Sequence, residues 1–195
     1  MHGKHTQLLA TAIVLGVMAP VAFGNDAANR NWSHKDWRSV SYTDDAGKLH
    51  CTTLTGGDGD NTFRVDVDSG GNFLLEYQEQ VVRGYPTKLG ADDNLYLAVE
   101  GPASMAYDDI TVFDEQDDYG DRVLRATLPS GHAAAFTGML RKGTHLALFR
   151  RNGGSQDPDT RSSELIQRFS LAGFTANLVK IGEWCAFDPN DIFTP

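Results

Sequence analysis

The chain has 195 residues, with 17 lysines and arginines against 26 aspartates and glutamates, and a formal charge of −9. So acidic a chain is a poor match for nucleic acid or an anionic membrane surface. Its length suits one ordinary domain with a real core, and no repeat of fixed period or break in composition divides it.

Taken in chain order, the first segment reads as a leader. Residues 1–7 carry Lys4 and two histidines, residues 8–23 are almost wholly apolar, and Ala22 and Gly24 put small residues where a signal peptidase reads. An uncleaved anchor is the rival reading, but Pro20 interrupts the apolar run, and about sixteen residues fall short of the ~20 that span a bilayer. Residues 1–24 are therefore expected to be a signal peptide. Residues 25–195 are then a single exported domain of 171 residues and charge −10, periplasmic or secreted, with no membrane span after cleavage.

Residues 25–33 are polar and read as a loose lead-in. From Trp37 the residues alternate, Trp37, Ser39 and Ser41 on one side and Val40 and Tyr42 on the other. A turn at residues 44–48 leads to a second strand at residues 49–54. Trp32 and Trp37 are expected in or beside the core. Residues 55–62 form a loop by composition, and the clearest hairpin follows. Phe63, Val65 and Val67 alternate with Arg64, Asp66 and Asp68, Ser69-Gly70-Gly71-Asn72 turns the chain, and Phe73, Leu75 and Tyr77 resume the pattern.

Short strands are expected at residues 95–99 and 109–113. Residues 114–121 hold five acids in eight positions, a solvated loop by like-charge repulsion. Residues 122–128 read as a strand. A short helix follows with Ala133, Phe136 and Leu140 on one face, Arg141 and Lys142 in its last turn and Gly143 as its stop. Residues 144–151 form a strand, 152–163 a surface loop, and 165–169 the last strand. In residues 168–188, Leu171, Phe174, Leu178, Ile181 and Cys185 recur at steps of three and four, one stripe of a helix that Ser170 is placed to cap and that Pro189 discourages from continuing. That stripe needs a partner, and the helix is read as a lid on a β-rich core. The basic pairs Arg141-Lys142 and Arg150-Arg151 read as solvated ends of elements.

Both cysteines, Cys51 and Cys185, survive cleavage of the leader, and an even count in an exported chain favours a disulfide. His50 beside Cys51 would suit a reactive thiol, but neighbours on a strand point to opposite faces. The strongest ligand motif is Gly56-Gly57-Asp58-Gly59-Asp60-Asn61, close to the nine-residue calcium repeat, in which glycines let the backbone turn and carboxylates supply hard oxygens. Asp58, Asp60 and Asn61 are its candidate metal ligands. Asn61 stands where that repeat has Asp, and the motif occurs once, so a plain glycine-rich loop is the competing reading. Residues 66–71 start like a helix-loop-helix calcium loop, yet Glu76 falls one place short of the required twelfth position. Signatures of hydrolase, protease, redox and phosphate-binding chemistry are missing from the sequence, and His34, His50, His132 and His145 are scattered.

Several segments together resemble the invasion-associated locus B family of exported bacterial proteins. They are Trp37-Arg38-Ser39-Val40 opening a strand, Cys51 on the next, Leu140-Arg141-Lys142-Gly143 before a strand, and above all the run from Phe169 to Leu178. The likeness spans roughly residues 36–181, and Cys185 lies outside the family pattern. It implies a small envelope domain of β-sandwich type, linked in some members to host-cell entry, without enzymatic activity. The combined expectation is a mainly β, sandwich-like pair of antiparallel sheets with a short helix and a C-terminal helix packed on the sheet. It is expected to act without catalysis or a cofactor, through a protein partner. A calcium-dependent module using Asp58 and Asp60 is the alternative, and a periplasmic hydrolase is third.

Overall fold

The structure is a computed structural model that describes residues 29–57, 61–83, 85–102, 105–108, 110–116, 121–151, 163–190 and 192. The leader expected at residues 1–24 and most of the loop at 152–163 lie outside the described residues, as do Asp58 and Asp60. In chain order the elements are β1 (Arg30–His34), β2 (Trp37–Thr43), β3 (Leu49–Gly56), β4 (Asn61–Asp68), β5 (Phe73–Gln80), β6 (Leu95–Glu100), β7 (Met105–Tyr107), β8 (Thr111–Gln116), β9 (Arg122–Leu128), α1 (Ser130–Leu140), β10 (His145–Arg151), β11 (Ser163–Ser170) and α2 (Phe174–Cys185). They form a seven-stranded sheet, β1-β2-β3-β4-β5-β9-β8, and a four-stranded sheet, β11-β10-β6-β7, antiparallel throughout. The expected mainly β, two-sheet architecture with two helices is the architecture observed.

Alternation along the strands decides which residues meet. The register Ser41↔Cys51↔Val67 and Thr53↔Val65↔Leu75↔Leu128 puts one residue in two on the inner face. Phe63, Val65, Val67, Leu75 and Tyr77 are buried there. Against part of that face lies the smaller sheet, whose Phe169 ring sits 6.1 Å from both Phe63 and Tyr77. The rest is covered by α2, which packs on β1 to β4.

Trp37 is the hub of the α2 side. Its ring lies 4.7 Å from Phe174 and 6.5 Å from Phe63, both edge-on, and its indole N–H donates to the Ser170 carbonyl at 2.8 Å. Beside it, the Ser39 hydroxyl donates to Asn177 Oδ1 at 2.8 Å, and the Asn177 amide donates to the carbonyls of Gly173 and His34. Every polar atom of this buried asparagine side chain thus has a partner, as burial demands. At the far end of the helix Cys51 and Cys185 are joined, with Cα atoms 6.2 Å apart.

The terminal helix differs from the sequence expectation at its start. Ser170 does not cap it. Its backbone is held by β10, through the pair His145↔Ser170, and by Trp37, while its hydroxyl accepts from the Ala172 N–H. The helix begins at Phe174, after Gly173 turns the chain with φ +97°. A Cβ on Gly173 would come within 2.2 Å of the His34 carbonyl oxygen, so a side chain is excluded by contact as well as by conformation. The apolar stripe Phe174, Leu178, Ile181, Cys185 is buried as expected, and Leu171 is buried just ahead of the helix. Residues 30–33, expected as loose lead-in, pair with β2. Asp114, Glu115 and Gln116, expected in a solvated loop, extend β8 instead, where Arg122 pairs with Asp114 across the ladder.

Candidate functional site

Two concave surfaces meet near the end of β5. The first is a cleft of about 460 Å³ at the rim, lined by Asn61, Glu79, Gln80, Val82, Tyr85 and Lys88. Glu79 is the inward residue at the end of its strand and is buried. Its two carboxylate oxygens accept from the backbone N–H groups of Lys88 and Leu89 at 2.7 and 2.8 Å. This staple folds the segment after β5 back over the strand end. The Lys88 ammonium reaches Gln167 of β11 at 2.6 Å, which ties the segment to the second sheet. Tyr85 lies on the lip of the cleft, 75% exposed, with Val82 also exposed.

Asn61, a predicted metal ligand, opens β4 opposite Glu79 and accepts from the Tyr77 hydroxyl at 3.1 Å. Burial, with the Glu79 charge in support, pushes the Tyr77 phenol well above its ordinary pKa, so it stays a hydrogen-bond donor. Asp58 and Asp60 precede Asn61 outside the described residues. Among the described residues no three His, Cys, Asp or Glu side chains gather as a metal centre.

The second surface is a groove of about 330 Å³ on the outward face of the larger sheet, floored by Val40, Thr52 and Leu54 and flanked by Arg38 and Arg64. Tyr42 closes one end, and Gln78 and Gln80 lie toward the other. Beside it Glu76 is buried although its position faces outward. Its carboxylate lies 3.2 Å from Arg64 Nε and 3.8 Å from Arg125. Burial raises the Glu76 pKa, and the two guanidiniums oppose the shift. Arg64 Nε also meets Asp66 at 2.8 Å.

The four histidines among the described residues are dispersed over the molecule. His50 bonds Asp44 at 2.8 Å and stacks on Tyr42, His34 stacks on Trp32, His132 packs against Tyr107, and His145 lies 3.9 Å from Glu100. The hydrogen bond from His50 holds the Asp44 pKa below its usual value. The cysteines, predicted as a bridge, are one, and none is free.

Sequence reading points to Asn61, which lines the rim cleft, but not to Glu79, Tyr85 or Lys88. The residues of the groove were within its reach. Arg38, Val40 and Tyr42 share one side of β2, and Arg64 shares the polar side of its hairpin; the period of two names them once the opposite side is known to be core. Comparison of the chain with family models, with curated proteins and with solved structures finds no match in any of the three.

Proposed function

We propose that this chain is an exported module of the bacterial envelope or the secreted fraction, closed by a disulfide, that acts by binding a protein partner and not by catalysis. The observation that carries the reading is the Cys51–Cys185 bridge, which joins positions 134 residues apart, because such bonds persist in oxidising compartments. The apolar run of residues 8–23 and the small residues Ala22 and Gly24 support export. The resemblance of residues 169–178 to the invasion-associated locus B family supports an envelope setting and a part in host-cell entry. The binding face is assigned to the rim cleft, where Tyr85 is presented on a segment held by Glu79 and Lys88. Exposed aromatics on a rigid support are the residues that anchor protein interfaces.

The test is capture from envelope and host-cell extracts on the immobilised oxidised protein, with calcium and with chelator, beside a Tyr85→Ser variant. Saturable capture of one protein, indifferent to chelator and lost in Tyr85→Ser, is expected. Capture confined to calcium would transfer the function to Asp58, Asp60 and Asn61. Failure to capture a partner in either condition, with turnover on a hydrolase substrate panel, would overturn the reading in favour of an enzyme.

A further inference from the structure

We infer that the outward groove of the seven-stranded sheet is a second site, for an acidic saccharide, in which Arg38 and Arg64 hold the sugar carboxylate. At about 330 Å³ it stands at the lower end of the roughly 300–1,000 Å³ of small-ligand sites. Its lining inverts the charge of the molecule. The chain is −9 overall, yet two arginines line this groove against one bordering carboxylate, Asp66, which is engaged by Thr52 and Arg64. Arg38 is exposed and has no ion pair among the described residues.

Register places the two arginines. Arg38, Leu54 and Arg64 stand in one row across β2, β3 and β4. With neighbouring strands about 4.8 Å apart, their backbones are about 10 Å apart, with Leu54 between, a span that two long side chains close around one carboxylate. Arg64 is held by charge, its buried Nε lying 2.8 Å from Asp66 and 3.2 Å from Glu76 without a well-directed hydrogen bond to either, while 30% of its side chain remains exposed. Burying Glu76 beneath an outward face is costly, and a well-packed apolar residue would serve stability as well or better. Together with Asp66, the carboxylate attracts Arg64 and keeps it beside the groove, which favours binding by preorganisation.

The rest of the lining selects among anions. Gln78, Gln80 and Thr62 present amides and a hydroxyl, donors and acceptors together, which match the hydroxyls of a sugar ring. Tyr42, half exposed and stacked on His50 at 5.1 Å, stands at one end with a ring suited to the apolar C–H face of a sugar. An acidic peptide could use the arginines and the amides, but it offers Tyr42 no C–H face of a sugar ring.

The oxidised protein is titrated calorimetrically with trigalacturonate, with its neutral methyl ester, and with hexaglutamate. The uronate is expected to bind saturably, to weaken as salt rises, and to bind about tenfold tighter than the ester or the peptide. Arg38→Gln, at an exposed position, is expected to keep the wild-type thermal transition and to lose about tenfold in uronate affinity. Tyr85→Ser leaves uronate binding intact, so this site and the rim cleft fail separately. Equal affinity for acid and ester, undiminished binding in Arg38→Gln, hexaglutamate binding as tightly as the uronate, or no saturable uronate binding up to about 10 mM would each overturn the inference.

Discussion

The two faces of the seven-stranded sheet are made by the same strands, in the same register, from alternate residues. On the inner face even the polar groups are consumed by the fold. Ser39 bonds Asn177, the Thr53 and Thr55 hydroxyls donate to the carbonyls of Arg38 and Asp36, and Glu79 takes two backbone N–H groups. On the outer face long, charged or aromatic side chains stand around a floor of Val40, Thr52 and Leu54. Some of them, Arg38 and Tyr42 among them, are left facing solvent. A strand can therefore serve cohesion with one residue and recognition with the next, and substitutions one position apart are expected to act on different properties.

The largest effect is expected at the helix tie on the inner face. Replacing Cys51 and Cys185 together by serine removes a bridge across 134 residues, and denaturant melts are expected to show a loss of about 4–5 kcal/mol. Asn177→Ala comes next. It takes from Ser39 its 2.8 Å acceptor, leaving the longer 3.3 Å bond to the backbone carbonyl of residue 177, and it removes one donor each from the His34 and Gly173 carbonyls, the latter keeping the residue 177 N–H, for about 1–2 kcal/mol. A loss below about 0.5 kcal/mol would break the claim that inner polar groups are structural.

Asp68 sharpens the comparison, because it lies on the polar side of β4 yet holds a turn. Its carboxylate accepts from the N–H groups of Gly70 and Asn72 and meets Lys48 at 2.5 Å. Partial burial raises its pKa, but the Lys48, Asn72 and Gly70 bonds outweigh that and hold it far below the ordinary 3.8. A carboxyl whose folded pKa lies below its unfolded value contributes stability above the unfolded value and loses it as pH falls toward the folded one. Asp68→Asn is accordingly expected to cost about 1–2 kcal/mol at pH 7, with the gap to wild type narrowing in melts below about pH 4. The smallest effect belongs to the open groove. Gln78→Ala is expected to change stability by no more than about 0.5 kcal/mol while weakening uronate binding severalfold in the calorimetric titration.

What could be read from the sequence followed from periodicity. The hairpin from Phe63 to Tyr77 declared itself because alternation and a glycine turn agree, and the α2 stripe because its steps of three and four continue to Cys185. The errors lie where a distant strand settles the local choice. Arg30–His34 has little apolar pattern of its own and is a strand because β2 offers it a ladder. Ser170 has the chemistry of a cap, but pairing with His145 and the Trp37 indole keeps it extended. Glu79 was invisible as a structural group, since its partners are backbone amides nine and ten residues ahead. The groove was hidden for a different reason, because a face named only as polar does not say which of its charges remain unpaired.

The most direct test of an exported, disulfide-closed module is a non-reducing peptide map of the protein recovered after expression of the full chain in a bacterium that exports it. The predicted result is an N-terminus at Asn25 and a linked pair of peptides holding Cys51 and Cys185. Intact residues 1–24 with both thiols free to alkylate would contradict it.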